Sequence, residues 1–476
     1  MVVGEIPVLA DLVVVGAGPG GYAAALRGAQ LGRDVVLIDR DGHHGVGGTC
    51  LTVGCIPSKA LIETANHFEH AKNMAHTGLS FVGAAVDMGV WQQWKGTVVD
   101  GLTGGIRHLL RTAGVSVITG HAQLSRLDQL VVTDPIRPLA LAQYFQFNDL
   151  VLATGSRPAE LPGLARDGIS VLNSTDVLAL DHLPERIAVI GAGYIGLELG
   201  TALAKLGANV TIVEYGPRVL PTMDAMFARA IDRRLSQLGI NVLLDTAAVR
   251  FDNHVLHLST GDTTSQIEAE IVVVAVGRIP NTDQLGLDAA GITVDERGLV
   301  CVGADRRATR HITAIGDIVS GPALAHKATA EAAVAVEALC GHPAAFAPTT
   351  VPAVVFCDPE IASAGVTVDQ ARAAGRDVGA VMIPMGASGR AATMDARDGF
   401  LQLVWELDSQ TVIGVHIAGA HASELIAEAV LAIEMAATLE DVAGSIHAHP
   451  TLSEQLGEAA HLALDRPVHV PNHVRR

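Results

Sequence analysis

The sequence predicts an α/β chain, with two doubly wound nucleotide-binding domains followed by a C-terminal α+β domain. Three observations carry this. A glycine turn of the same form occurs twice, at Gly16-x-Gly18-x-x-Gly21 and at Gly191-x-Gly193-x-x-Gly196. In each copy an acid closes the next strand 23 residues after the first glycine, Asp39 in one and Glu214 in the other. Beyond Val351 the pattern changes to strand-rich segments and a long amphipathic helix. A chain of 476 residues exceeds one ordinary core, so two to four domains are expected.

Composition narrows the class. Hydrophobic residues make up 49 % and aromatics only 3 %, which suits packed α/β units with tight glycine turns. The net charge of −18 argues against a nucleic-acid binder. Five cysteines, at 50, 55, 301, 340 and 357, are odd in number and scattered, unlike a secreted disulfide framework. Residues 1–11 hold Glu5 and Asp11 but no basic stretch, so no signal peptide is expected. Apolar runs such as 271–276 are strand-length and too short to span a membrane. A cytoplasmic protein is therefore expected. His43 and His44 have no third ligand nearby, so they read as a solvated loop and no metal site is expected.

Residues 12–15 are a continuous apolar run, as in a parallel strand buried on both faces. A helix over 22–31 and a strand over 34–38 complete the unit. Such a unit binds a dinucleotide by a tight turn, a close backbone approach to pyrophosphate, a helix dipole on the phosphate, and a carboxylate for ribose. Next comes the stretch from Gly47 to Lys59. Cys50 and Cys55 stand five apart, beside Gly48, Thr49 and Gly54, with Lys59 four residues after the second thiol. A bare C-x4-C fits half a metal site or two ordinary buried thiols. Its place directly after a nucleotide unit raises a third option. A redox pair needs two thiols within bridging reach and an electron donor beside them. A helix read from Ser58 onward lowers the pKa of a thiol at its N-terminus.

Residues 63–114 read as mostly helical, with Trp91 and Trp94 among polar neighbours. A strand over 115–118 leads to Gly120-His121-Ala122, and another over 150–153 ends in Thr154-Gly155-Ser156. The second unit has strands at 187–190 and 210–213, and Leu197-Glu198 in its helix. Equal spacing in both copies makes an internal duplication and implies two bound dinucleotides, with a hydride passing to or from a nicotinamide. Glu214 favours NAD, because a carboxylate there bonds the ribose 2′-hydroxyl and repels a 2′-phosphate. Arg218, four residues on, leaves a smaller case for NADP. The strand over 271–276 runs into Gly277-Arg278, and residues 310–315 run into Gly316-Asp317. In the last domain, strands are expected at 401–405 and 412–417 and a helix at 423–437. Leu425, Ile426, Ala429, Ala432, Ile433 and Ala436 share its apolar side. After it stands His447-Ala448-His449-Pro450-Thr451, with Glu454 five residues beyond His449. Thiol chemistry needs a base near neutral pH, and a carboxylate reaching back past the Pro450 turn orients it.

Taken together and in this order, these motifs resemble the FAD-dependent pyridine nucleotide-disulfide oxidoreductases over nearly the whole chain. The resemblance implies a glutathione reductase-like fold: two Rossmann-like FAD/NAD(P)-binding domains plus a C-terminal α+β dimerisation domain. It implies an FAD-binding domain in residues 1–155, an NAD-binding domain in 156–277, a second FAD-binding part in 278–350, and a dimerisation domain in 351–476. FAD would be held by Gly16, Gly18, Gly21, Asp39, Gly48, Thr49, Lys59, Ala122, Thr154, Gly155, Ser156, Gly316 and Asp317. A helix opening at Leu324, Ala325 and His326 would face the flavin. NAD would be held by Gly191, Gly193, Gly196 and Glu214, and Gly277 and Arg278, at the crossing back from that domain, would also bind cofactor. Cys50 and Cys55 would form the redox disulfide, Cys50 exchanging with substrate and Cys55 lying nearer the flavin. Lys59 and Glu198 would pair at the flavin edge, with Tyr194 shielding it. His449, oriented by Glu454, would be the base, both supplied by the other subunit of a homodimer. His447 would serve as backbone support.

Within the family, the cysteine stretch is most similar to members that oxidise dihydrolipoyl groups with NAD⁺. Their partners are the lipoyl-bearing acyltransferases of 2-oxo acid dehydrogenase complexes, or a lipoyl carrier protein. Two positions depart from the pattern. Asp39 stands where Glu is usual, and Cys357 where Thr is more frequent. Glutathione reductase-like members would place arginines near Glu214. Mercuric reductase would need a terminal cysteine pair, and no cysteine follows Cys357. Soluble transhydrogenases lack the first thiol. A redox-inactive complex-binding subunit would not need every catalytic position filled.

Overall fold

The computed structural model describes residues 7–134 and 142–472. The first six residues, on which the signal-peptide expectation partly rests, and the last four of the tail lie outside them.

In the first domain β1 (Val8–Val15), α1 (Pro19–Gln30) and β2 (Val35–Asp39) form the expected unit. Leu12, Val13 and Val14 have no exposure, as a strand covered on both faces demands. Then come α2 (Gly48–Thr52), α3 (Cys55–Asn73), α4 (Met88–Thr112) and the strands β3 (Ser116–Thr119), β4 (His121–Arg126), β5 (Gln129–Thr133) and β6 (Gln143–Leu152). The sheet runs β3-β2-β1-β6-β5-β4. β6 pairs in parallel with β1 and antiparallel with β5, so one long strand joins the nucleotide unit to a small meander.

The elements around the two thiols differ from expectation. α3 starts at Cys55, not at Ser58, because Pro57 is tolerated in a first helical turn where its missing N–H is not needed. Cys50 lies on the separate short helix α2, for which the sequence carries no periodic signal. Between α3 and α4 the chain leaves the helix, passing through a 3-10 turn at Met74–Thr77.

The chain leaves this domain through β7 (Ser156–Pro158). The second unit holds β8 (Val171–Leu172), α5 (Ser174–Val177), β9 (Arg186–Ile190), α6 (Tyr194–Leu206), β10 (Asn209–Val213), α7 (Ala225–Gln237) and β11 (Asn241–Leu243). An antiparallel ribbon of β12 (Ala247–Asp252), β13 (Val255–Thr260) and β14 (Thr263–Glu268) precedes β15 (Ile271–Val274). The parallel sheet runs β11-β10-β9-β15-β8. The return strand β16 (Arg278–Pro280) pairs antiparallel with β7, so the two crossings between domains brace each other. β17 (Ile312–Ala314) then rejoins β6 in the first sheet. It leads into α8 (Ala325–Leu339), which packs on α1.

The last domain is an antiparallel sheet, ordered β18 (Ala353–Val355), β19 (Ile361–Gly365), β22 (Val412–Ala418), β21 (Phe400–Glu406), β20 (Val378–Pro384). The short helices α9 (Val368–Ala373) and α10 (Gly389–Thr393) lie among these strands in sequence. α11 (Ala422–Glu434), α12 (Leu439–Gly444) and α13 (Glu454–Ala463) follow. α11 buries Ile426, Ala429 and Ile433 against the sheet and ends before Ala436, whose φ of 50° is incompatible with a right-handed helix. Among the described residues no helix is long and apolar enough to cross a membrane.

Candidate functional site

A cleft of about 920 Å³ opens at the C-terminal edge of the first sheet, where β1, β6 and β17 end against α2, α3 and α6. The glycine turn shapes its floor. Gly16 has φ +97°, and a Cβ there would meet Ala153 O at 2.4 Å. A Cβ on Gly21 would meet Gly16 O at 1.7 Å, so the third glycine lets helix pack on turn. Gly18 differs, because a Cβ there would meet nothing nearer than Gly48 Cα at 4.0 Å. The middle glycine thus borders open space of the kind a pyrophosphate needs. The second unit repeats these relations. Gly191 has φ +99°, a Cβ on Gly196 would meet Gly191 O at 2.0 Å, and Gly193 faces open space.

Each unit's acid serves its own turn. Asp39 Oδ2 accepts Ala17 N–H at 2.8 Å and Oδ1 accepts Asp41 N–H at 2.9 Å. Glu214 Oε2 accepts Ala192 N–H and Oε1 accepts Gly216 N–H, both at 2.7 Å. Each oxygen keeps a further acceptor site for ribose. Asp39 therefore makes the same bond as its longer counterpart. Arg218 is tied down, donating to Met223 O at 2.7 Å and Pro221 O at 3.1 Å.

The cleft wall carries the sulfur chemistry. Cys50 and Cys55 are both thiols here, and each shifts the other's ionisation. The neighbouring Cys50 thiol pulls Cys55 down to about 7. Burial opposes it, and the Lys59 ammonium one helical turn further along adds to it. Cys55, together with burial, pushes Cys50 well above the usual thiol range. Cys55 therefore ionises first. Lys59 Nζ lies 2.8 Å from Glu198 Oε2 and 4.4 Å from the centre of the Phe356 ring. Phe356 N–H donates to Glu198 Oε1 at 3.0 Å, which satisfies a carboxylate only 4 % exposed. Tyr194, at the start of α6, also lines the cleft.

Elsewhere in the cleft lining Ser156 Oγ donates to Asp317 Oδ2 at 2.6 Å, and Arg278 Nε donates to Ser156 Oγ at 2.7 Å. Asn281 locks Thr154 by reciprocal bonds of 2.8 and 2.9 Å. Beneath Gly316 lies a buried charge cluster. Glu331 accepts Gly316 N–H at 2.7 Å, Lys327 at 3.0 Å and Arg306 at 3.1 Å. The sequence motifs give no role to Lys327, Glu331, Asn281 or the Phe356 N–H. Opposite charges four apart on an alanine-rich helix were a usable signal for the first two, whereas a backbone donor has no sequence signature.

The structure brings most of the expected residues to this cleft. Gly16, Gly18, Asp39, Gly48, Thr49, Cys50, Cys55, Lys59, Ala122, Thr154, Gly155, Ser156, Glu198, Arg278, Gly316, Asp317 and Ala325 line it. Gly21 lies behind the turn. Gly191, Gly193, Gly196, Glu214 and Gly277 gather at the ends of β9, β10 and β15. Leu324 caps α8, and His326 points away, with its Nε2 on Pro352 O at 2.8 Å. His449 and Glu454 are not part of this chain's cleft. His449 Nδ1 donates to Glu454 Oε1 at 2.9 Å, Thr451 N–H donates to Oε2 at 2.8 Å, and the imidazole is 75 % exposed. His447 does more than support backbone, since its Nε2 meets Glu428 Oε1 at 2.7 Å. Of the other cysteines, Cys301 is exposed, Cys340 half-buried and Cys357 buried with its thiol on Pro359 O.

Comparison with known proteins is consistent across sequence and structure. Residues 10–332 match the pyridine nucleotide-disulphide oxidoreductase family, and residues 351–460 match that family's dimerisation domain. The chain is 44 % identical to the dihydrolipoyl dehydrogenase of Geobacillus stearothermophilus over 475 residues, 99 % of both chains. It is 43 % identical to that of Bacillus subtilis (strain 168), covering 99 % of this chain and 100 % of the relative. The crystal structure of LpdA from Mycobacterium tuberculosis superposes with a TM-score of 0.87 at 27 % identity, covering 95 % of this chain and 99 % of that one.

Proposed function

The chain belongs to the pyridine nucleotide-disulphide oxidoreductase family, and from that premise we propose that it oxidises dihydrolipoyl groups with NAD⁺, the reaction for which its curated relatives are named. The observation that carries this reading is the thiol pair. Cys50 on α2 and Cys55 at the first position of α3 both line the dinucleotide cleft, and Cys50 with the Lys59 ammonium pulls Cys55 down to about 7. The enzyme is an oxidoreductase that uses FAD and NAD. Residues 1–155 and 278–350 form its FAD-binding part, 156–277 the NAD-binding part and 351–476 the dimerisation domain of a homodimer.

The chemistry starts from the oxidised enzyme, with a Cys50–Cys55 disulfide. His449 of the opposite subunit takes a proton from one substrate thiol, and Glu454 holds the ring and balances the charge gained. The thiolate attacks Cys50 Sγ. A substrate–Cys50 bond forms, the Cys50–Cys55 bond breaks, and Cys55 leaves as the stabilised thiolate. The second substrate sulfur, deprotonated in turn, attacks the first. The lipoyl disulfide closes, and Cys50 leaves and takes the proton. The substrate has lost two electrons and two protons, and the enzyme's sulfurs have gained two electrons. FAD, when bound along Gly16–Gly18, Asp39 and Asp317, supplies the two-electron relay from this dithiol to the nicotinamide of NAD⁺. Lys59 holds its ammonium beside Cys55, and Glu198 fixes that ammonium in place. Glu214 selects NAD⁺, because its carboxylate repels a 2′-phosphate and Arg218 is engaged elsewhere.

The physiological substrate on this reading is a lipoyl group carried by the acyltransferase of a 2-oxo acid dehydrogenase complex or by a lipoyl carrier protein, in the cytoplasm. The test is NADH formation from dihydrolipoamide, with NAD⁺ and NADP⁺ in parallel, for wild type and Cys50→Ser. Turnover with NAD⁺ alone, abolished in the variant, is the expected result. A flavin-loaded protein that does not turn over dihydrolipoamide would overturn the assignment.

A further inference from the structure

The Lys59–Glu198 pair is one rung of a longer ladder. A second rung joins α3 to α6, where Lys205 Nζ donates to Asn66 Oδ1 at 2.7 Å. Both rungs connect residues 139 apart in sequence, so the two helices run parallel in constant register. On each helix the rungs are seven residues apart, about two turns, which puts them on one face. The second rung is heavily charged and nearly closed to solvent. Lys205 also pairs with Asp358 Oδ2 at 2.7 Å and with Glu69 Oε2 at 3.5 Å. Arg234 of α7 bridges the same two carboxylates, at 2.7 Å from Asp358 Oδ2 and in short contact with Glu69. The Lys205 and Glu69 side chains are 7 % and 10 % exposed. One segment ties the rungs together. Phe356 gives its N–H to Glu198, and two residues later Asp358 gives its carboxylate to Lys205.

We propose that Lys205, with Asp358, Glu69 and Arg234, is the positioning group of the cleft: it fixes the register of α3 against α6 and so keeps Glu198 on Lys59 beside Cys55. Apolar helix faces pack in alternative ridge-and-groove settings of similar energy. A buried charge cluster removes that freedom, because any other register strands an unpaired charge. The consequence reaches the sulfur, because Lys59 favours the Cys55 thiolate and Glu198 opposes it. That balance depends on distances of a few ångströms. Burial would raise Asp358, yet Lys205 and Arg234 hold it below its ordinary value, so its carboxylate stays charged at working pH.

This inference rests on the roles proposed for Lys59 and Cys55, and the experiment separates the two. FAD-loaded, full-length enzyme with its dithiol reduced is alkylated with iodoacetamide across pH. Dihydrolipoamide kinetics and melting temperature are measured alongside. Lys59→Met is expected to move the Cys55 alkylation midpoint upward. Lys205→Met is expected to move it the same way by about half to one unit. It should also lower kcat about threefold to tenfold with KM little changed, and Lys205→Arg should recover most of both. Asp358→Asn, which keeps the shape, should give the same upward shift and stands in should Lys205→Met not fold. A lowered melting temperature with an unmoved midpoint in Lys205→Met or Asp358→Asn makes the cluster purely structural and overturns the proposal. An unmoved midpoint in Lys59→Met overturns the site reading beneath it.

Discussion

Replacing Glu454 by glutamine tests the base end of the site while keeping its shape. Glu454 is an acceptor twice over, for His449 Nδ1–H at 2.9 Å and for Thr451 N–H at 2.8 Å. Glutamine offers one oxygen, so one of those donors must face an NH₂ group. The imidazole also loses the counter-charge it needs when it takes the substrate proton. A hydrogen bond to a charged partner contributes about 1.5–3 kcal/mol and a neutral one about 1 kcal/mol. His449 is 75 % exposed in the free chain, so solvent screening trims the electrostatic part. The net loss is about 1–2 kcal/mol, or roughly 5- to 30-fold in kcat/KM for dihydrolipoamide. Removing the imidazole in His449→Gln should cost about 10²–10⁴-fold, the usual worth of a positioned general base. The assay compares dihydrolipoamide-driven NADH formation with NADH-driven reduction of a quinone, which bypasses the dithiol. The first should fall and the second hold. A change below twofold in the first, in a protein of unchanged melting temperature, refutes the argument that Glu454 works through His449. Equal losses in both assays refute it as well.

Three further outcomes follow from the geometry. Alkylation of the reduced enzyme at Cys55 should rise with pH through about 7 and level off above it, because the neighbouring Cys50 and the Lys59 ammonium favour the thiolate and protons quench it below; a midpoint in the ordinary thiol range would show that neither acts. Glu214→Ala should lose about tenfold or more in kcat/KM for NAD⁺ without turning the enzyme to NADP⁺, since it unseats the Ala192 and Gly216 N–H groups while Arg218 stays on its own carbonyls; initial rates with NADP⁺ exceeding those with NAD⁺ would contradict this. Lys327→Met should destabilise the protein by about 1.5–3 kcal/mol in urea unfolding, because it removes one of the two cations on Glu331, which has no exposure, and leaves Arg306 as the other; an unchanged midpoint would mean that the Gly316–Asp317 turn does not depend on that cluster.

The chain by itself determined more of this protein than is usual. Glycine turns are legible because a residue at φ near +97°, or one whose Cβ would fall 1.7 Å from a carbonyl oxygen, must be glycine. Spacing then dates each acid to the end of the second strand, and Asp39 and Glu214 stand where that rule puts them. The thiol pair, its lysine and the His449–Glu454 pair are local in sequence, so their proximity needs no knowledge of the fold. Tertiary structure decided what is remote. Only the packing of α3 on α6 brings Lys59 to Glu198, and only the loop carrying Phe356 satisfies that carboxylate's other oxygen. Helix α2 escaped notice because five residues are too few to show a period. The ladder of Lys205, Glu69, Arg234 and Asp358 was equally hidden. Its members come from three helices and a loop, and each alone reads as an ordinary surface charge until folding withdraws it from water. Patterns that one stretch of backbone enforces are written in that stretch, whereas the environment of a charge depends on every segment that closes over it.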